Sequence, residues 1–350
     1  MLQATPPERL DKMRHWIAQR QALAPSDVSL RLAAGDASFR RYFRLTLPDG
    51  GTRMVMDAPP FQESDNTLRF VTIAQEWRRA GLPVPHLYIA DQEAGFVELE
   101  DLGDTALQQN FTGIDDPATL AWHERAIELL ERLQSHAPIA TLPPYDEALL
   151  GRELDLFPEW CLERLLGITP PSTWHELRQT LIDDALRQPS VAVHRDFDAM
   201  NLMVRDDALY LIDFQDAVAG PLTYDLISLL RGRYCRFNEA RYAAWIEAFR
   251  RRAIADGRLD SDIDTETFRY LADAMAAQRS LKVLGIFCRL TLRDNKAGYL
   301  ARLPHFLAHL QDSLAPWPVF DDVSAWLVDS FAPALNAELQ CRGITTGGAS

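Results

Sequence analysis

Cysteine is scarce in this chain. Cys161, Cys235, Cys288 and Cys341 stand far apart, with no CxxC pair and no neighbouring His at ligand spacing. That excludes a zinc framework and a disulfide scaffold, and it predicts a reducing, cytoplasmic setting. Positive charge is short as well: 36 Lys and Arg against 50 Asp and Glu leave a net charge of -14. Such a surplus repels phosphate backbones and anionic lipid, so no nucleic acid and no membrane is expected as a partner of the whole molecule. A local basic pocket for a small anion stays compatible with it. Long apolar runs are missing too; the best candidate, "VLGIFC", is bracketed by Lys282 and Arg289, which predicts no membrane span. The segment "MLQATPPERLDKMRHWIAQR" has no apolar stretch of the signal-peptide kind. There is no internal repeat, no low-complexity tract, and nothing that implies an obligate protein partner.

What is present is ample material for a core. The chain of 350 residues is 47% hydrophobic and longer than one core usually supports, so two domains are expected. Near the start, Leu10, Met13 and Ile17 recur at helical spacing until "APSD" breaks the pattern. "VSLRLAAG", "FRRYFRLTL" and "RMVMDA" then read as antiparallel strands, with a Gly/Ala/Ser loop in "AGDAS" and a hairpin turn at "DGG". "TLRFVTIAQEWRRAG" is a helix ended by Gly81, and "HLYIA" and "GFVELE" supply two more strands. Beyond "DLGDT" the pattern is mostly helical, with a break expected at Pro158. The one β interruption expected there is "NLMVRDDALYLIDF", two short strands about an Asp206-Asp207 turn. The reading is α+β: residues 1–100 form a small β-rich lobe with a packed helix, 101–105 a hinge, and 106–350 a larger helical lobe.

Chemistry concentrates in "VHRDFDAMNLMVRDDALYLIDFQDA", which begins at Val193. Asp196 lies in a loop after an apolar strand, Asn201 follows five residues later, and Asp213 ends the hairpin that comes next. A loop before a tight hairpin and the residue after it should converge. Two oxygen ligands, Asn201 and Asp213, suit Mg²⁺ on a triphosphate, and Asp196 would remain unmetallated as a base. The motif matches the kinase pattern H-R-D-x-x-x-x-N followed by Asp-Phe-Gly, with Gln215 in place of Gly. His194 reads as scaffold for the loop. Asp225, in "PLTYDLISLL", reads either as a helix-start carboxylate or as a brace for that loop.

The stretch "FQDAVAGPLTY" between Asp213 and Asp225 is too short for a protein-kinase activation segment and has no A-P-E, which favours a small substrate. "HRDFDAMN", "LIDFQDAVAGP" and "YDLISLL" resemble the aminoglycoside phosphotransferase and choline kinase group. The blocks "GDASFRRYFRL", "VMDAPP", "LPPYDEALLGREL", "LFPEW" and "LKVLGIFCRL" look like the N-acetylmuramate/N-acetylglucosamine anomeric kinase family, over roughly residues 25–310. The resemblance implies a bilobal protein-kinase-like fold. It also implies ATP- and Mg²⁺-dependent phosphorylation of the C1 hydroxyl of those amino sugars, giving sugar 1-phosphates for peptidoglycan recycling toward UDP-sugars.

A muramate carboxylate would need a cation inside this acidic protein. Arg279, Lys282 and Arg289, near one face of a helix with Arg293 beyond, are the candidates, and a solvated basic stripe is the alternative. Arg152, Glu153 and Asp216 complete the expected substrate set, while Phe157 and Trp160 read better as core. On the nucleotide side the third strand, "RMVMDA", lacks the usual kinase Lys, so Arg40, Arg41 and Arg44 are expected to grip phosphates. Alternation puts Arg40 and Arg44 on one face and Arg41 on the other. Backbone from Glu98 to Glu100 should meet adenine. A kinase for another small molecule, aminoglycoside or choline-like, and a nucleotide-binding pseudokinase are the rival readings.

Overall fold

The structure is a computed structural model that describes residues 6–35, 40–58 and 65–344. Most of the loop expected between the first two strands falls on residues 36–39, outside that set, as do Pro59 and Pro60 of "VMDAPP". The chain divides into two compact units. The first comprises Met1–Gln109, His136–Pro138 and Met200–Asp216; the second comprises Asn110–Ser135, Ile139–Ala199 and Ala217–Ser350.

The first unit is built on a five-stranded antiparallel sheet. Its strands are β1 (Ser29–Gly35), β2 (Arg41–Thr46), β3 (Thr52–Asp57), β4 (Leu87–Asp91) and β5 (Phe96–Glu100), in the order β1-β2-β3-β5-β4. Helix α1 (Pro7–Gln21) opens with Pro7, whose fixed φ suits a first helical turn. The spacing read from sequence buries Met13 and Ile17 completely against Phe43, Leu45, Val55 and Phe96. Each such side chain contributes about 1.5–3 kcal/mol of burial. Alternation along β2 sends Phe43 and Leu45 into this core, so Tyr42 and Arg44 leave by the opposite face. Helix α2 (Asp65–Arg79) places Phe70 and Trp77 on Phe214, with Phe70 stacked at 5.0 Å and 6°.

The second unit is mostly helical: α3 (Pro117–His136, its last residue outside the unit), α4 (Glu147–Leu154), α5 (Trp174–Leu186), α6 (Tyr224–Leu230), α7 (Glu239–Ala255), the 28-residue α8 (Thr265–Leu292), α9 (Leu303–Leu314), α10 (Asp321–Trp326) and α11 (Ala332–Cys341). Among the described residues, no helix is long and apolar enough to cross a membrane. The break expected at Pro158 is instead a change of winding. The segment Phe157–Leu166 is π-helical, because Pro158 has no N–H to continue an α ladder and sits where the wider turn begins.

Among the described residues, two β-ribbons occur where one was expected. β6 (Ser190–Val193) pairs with β9 (Val218–Pro221), and β7 (Leu202–Arg205) pairs with β8 (Ala208–Leu211). The β7-β8 turn uses Asp206 and Asp207 at φ 49° and 58°, the left-handed pair that a two-residue hairpin needs. This hairpin belongs to the first unit because backbone stitches it there. Val204 N–H donates to Thr105 at 2.8 Å, Leu211 N–H to Pro83 at 2.8 Å, and Ala106 bridges Met203.

Candidate active site

The first unit contains a cavity of about 670 Å³. Its walls include Tyr42, Arg44, Met54, Phe70, Leu99 and Leu102, and its polar edge includes Asn201 and Asp213. The hairpin explains why these two residues are neighbours. Register pairs Leu202 with Leu211, and one step further Ile212 N–H donates to the Asn201 carbonyl at 3.1 Å. Asp213 therefore leaves the ladder beside Asn201, at φ 65°. Phe214 is fully buried between Phe70 and Trp77 and anchors it there. Gln215, also buried, donates from Nε2 to Asp213 Oδ1 at 2.8 Å and accepts at Oε1 from Arg40 Nη1 at 3.2 Å. The arginine can only donate, so it dictates which way the amide points. Two hard oxygen donors on one cavity wall are the number Mg²⁺ takes from protein when phosphates supply more. Asp216 lies beside this group, 3.5 Å from Gln215 Nε2.

The arginines of the first unit have different partners. Arg44 lines the cavity, but its guanidinium is committed to Asp101 and Asp104 through four hydrogen bonds of 2.6–3.0 Å. Those bonds raise the Arg44 pKa and hold Asp104 below the ordinary carboxylate range; Asp101 is also lowered, although burial opposes it. Arg44 thus ties β2 to residues 101–104. Arg41 points the other way and pairs with Asp57 at 3.8 Å, an aspartate also held by Arg9. Glu98 is fully buried and accepts from Arg53 at 2.5 Å, away from the cavity lining; Glu100 lines it and accepts from Arg205 at 2.8 Å. Arg40 is the one of the three arginines joined to the Asn201–Asp213 corner.

The second unit holds Asp196 on a loop whose neighbours are anchored. His194 and Phe197 are fully buried while Asp196 is exposed. Asp225, in the first turn of α6 and fully buried, accepts from the backbone N–H of His194 at 2.6 Å and of Arg195 at 3.1 Å. Burial pushes its carboxyl up to about 7, against the lowering pull of those amides and of Arg279. Asp225 therefore braces the loop, and His194 contributes through its backbone. Arg195 sits at φ 71°, a conformation costing a non-glycine residue roughly 1–2 kcal/mol.

Glu153, from α4, is buried among donors: Arg195 Nη2 at 2.5 Å, Lys282 Nζ at 2.8 Å, Gln278 Nε2 at 3.4 Å and the Tyr145 hydroxyl. Burial raises its pKa, but the charges of Lys282 and Arg195 outweigh that and leave it at about 2. Lys282 also reaches the Tyr224 hydroxyl at 2.8 Å, and Arg279 lies over the Tyr224 ring at 5.3 Å. Arg279 is buried and the Lys282 side chain is only 12% exposed, so they are no solvated stripe; Arg293, further along, pairs with Asp294 at the surface, and Arg289 is not among the groups at Glu153. Arg152 is exposed. Phe157 packs against Phe331 and Trp174 as core, and Trp160 is buried.

A model described as the phosphotransferase enzyme family matches residues 29–260. The N-acetylmuramate/N-acetylglucosamine kinase of Pseudomonas putida is 39% identical to this chain, over 87% of it and 89% of the relative. The enzyme of the same name from Neisseria meningitidis is 36% identical, over 87% and 90%. The chain belongs to the phosphotransferase enzyme family. Among solved structures, an ethanolamine kinase of Plasmodium vivax superposes with TM-score 0.59 at 11% identity, covering 89% of this chain and 88% of that one. A choline/ethanolamine kinase family protein of Mesorhizobium loti gives 0.57 at 14%, covering 95% and 99%. At such identities the likeness shows the fold, which is protein-kinase-like.

Sequence reasoning about this phosphotransferase missed Tyr145 and Gln278, which reach Glu153, and Asp101 and Asp104, which hold Arg44. "PYDEALLGREL" contained both Tyr145 and Glu153, but no periodicity links a loop tyrosine to a helix glutamate eight residues on. Gln215 had a signal: it replaces the Gly of the usual motif, and a buried amide between an arginine and a carboxylate is what that replacement achieves.

Proposed function

We propose that this phosphotransferase moves the γ-phosphoryl group of ATP to the C1 hydroxyl of N-acetylmuramate and N-acetylglucosamine. The products are sugar 1-phosphates, which re-enter UDP-sugar synthesis in the cytoplasm. The observation that supports phosphoryl transfer best is the pairing of Asn201 with Asp213 on one cavity wall, with Phe214 and Gln215 locking Asp213 in place. The substrate class is supported by the names of the relatives at 36–39% identity over most of the chain.

In this reading Asn201 and Asp213 would hold Mg²⁺, which would supply charge neutralisation to the transferring phosphate. Arg40, which donates to Gln215 at the same corner, is the cation assigned to phosphate in a chain whose third strand offers Met54 to the cavity. Asp196 accepts the proton of the C1 hydroxyl as its oxygen attacks the γ-phosphorus. The bond from that phosphorus to the bridging oxygen breaks, and its electron pair leaves with ADP. A hemiacetal hydroxyl is more acidic than an ordinary alcohol, so a carboxylate is an adequate base.

The test is incubation with ATP, Mg²⁺ and each amino sugar, with ³¹P and ¹H NMR locating the new phosphoester. A C1 phosphate on both sugars is expected. Phosphate at another hydroxyl, or turnover only with aminoglycosides or choline, would replace this reading with one of its rivals.

A further inference from the structure

We infer that Glu153 is a positioning residue for the proposed base: its carboxylate, acting through the Arg195 guanidinium, holds the loop in the conformation that presents Asp196. The inference rests on the role proposed for Asp196 and departs from the expectation that Glu153 contacts sugar.

The geometry argues from one torsion. The φ angle of Arg195 is rotation about its N–Cα bond, and it stands at 71°, where L-residues persist only when surroundings over-determine them. At one end of that bond, Asp225 fixes the N–H at 3.1 Å. At the other, Glu153 fixes the side chain at 2.5 Å. Together the two carboxylates set φ, and the carbonyl that leads into Asp196 follows. Asp225 alone would leave the Arg195 Cα free to swing into the ordinary region.

Charge makes Glu153 fit for this task. A carboxylate this deeply buried needs cations, and buried ion groups are weak sources of net stability compared with apolar packing. Lys282 alone would neutralise it. The second cation, Arg195, comes from the loop itself, and Tyr145 and Gln278 hold the acceptor still. That cation stands at a strained backbone position directly before Asp196, so the pair that neutralises Glu153 also restrains the residue that presents the base.

The test is a double-mutant cycle of Glu153→Gln with Arg195→Gly, glycine accepting positive φ without help from a side chain. We expect E153Q to lower kcat by about 10- to 100-fold, the scale on which misplacing a reacting group acts, with KM for ATP within about twofold. In the R195G background, adding E153Q should change kcat by less than about threefold, since the restraint it removes is already gone. An equal loss in both backgrounds would overturn the inference, because Glu153 would then act through Lys282 or the fold at large. A raised KM for sugar with kcat unchanged would overturn it in favour of a substrate contact. Amide hydrogen exchange gives a second readout that needs no turnover and survives failure of the double variant to fold. In E153Q the Arg195 amide should exchange faster while α3 amides do not change, and unchanged protection at Arg195 would refute the restraint. Failure of the functional reading shows differently, as absence of amino-sugar phosphorylation in the unaltered enzyme with its Arg195 amide still protected.

Discussion

Gly285 is the smallest residue in the block "LKVLGIF", and replacing it with alanine sets two effects against each other. In an exposed helix interior, Gly→Ala stabilises by about 1 kcal/mol. Here a Cβ would stand 2.4 Å from the Leu156 carbonyl carbon and 2.5 Å from its oxygen, about 1 Å inside the ordinary contact distance of 3.4 Å. Those atoms are backbone and cannot rotate away, so α8 and the segment around Leu156 must part. Overpacking of this kind costs about 1–3 kcal/mol, and overlap with main chain puts it at the upper end. The net expectation for Gly285→Ala is a loss of about 2 kcal/mol, read as a urea midpoint lower by roughly 0.5 M.

The functional consequence follows from position. Lys282 is one turn before Gly285, and Glu153 is three residues before Leu156. Opening the helix contact by about 1 Å stretches the 2.8 Å Lys282–Glu153 pair and loosens the carboxylate that holds Arg195. Turnover should fall about 10- to 100-fold with KM for ATP unchanged. A Gly285→Ala enzyme more stable than wild type, with full kcat, would show that the close approach does not control the loop.

Asp196→Asn should lower kcat by about 10²- to 10⁴-fold, the usual worth of a positioned base, while calorimetric affinity for ADP and Mg²⁺ is kept. Gln215→Leu removes the donor to Asp213 Oδ1 and should weaken Mn²⁺ binding, titrated by electron paramagnetic resonance with ADP present, by about 10- to 100-fold. The pH dependence of stability should carry two opposite signatures. Asp225, raised from 3.8 to about 7, takes up a proton more readily folded than unfolded, so its contribution is lost as pH rises from about 4 to 7, by an amount on the order of 4 kcal/mol. Glu153, lowered from 4.5 to about 2, contributes stability above about pH 4.5 that is lost as pH falls toward 2. Asp225→Asn should flatten the first slope in urea unfolding followed from pH 2 to 7 and leave the second intact.

Local order supplied much of this molecule in advance. Helical spacing in Leu10, Met13 and Ile17, alternation in "FRRYFRLTL" and the turn residues of "RDDA" are short-range rules, and they correctly located α1, β2 and the β7-β8 hairpin. The same spacing put Asn201 and Asp213 at the two mouths of that hairpin, so their meeting was decided by covalent geometry and register. β9 escaped notice because "VAGP" is four residues long, with glycine and proline, and is a strand only by pairing with β6.

The charge partners around the cavity and Glu153 are chosen by tertiary structure. Alternation separates Arg41 from Arg40 and Arg44 but names no partner; one meets Gln215, one Asp57 and one the Asp101–Asp104 pair, 175, 16 and 57–60 residues away. Glu153 read as a sugar ligand because nothing local tells a carboxylate which cations folding will bring to it. Arg195 and Lys282 reach it across 42 and 129 positions, distances at which sequence patterns carry no information and only packing selects the partner.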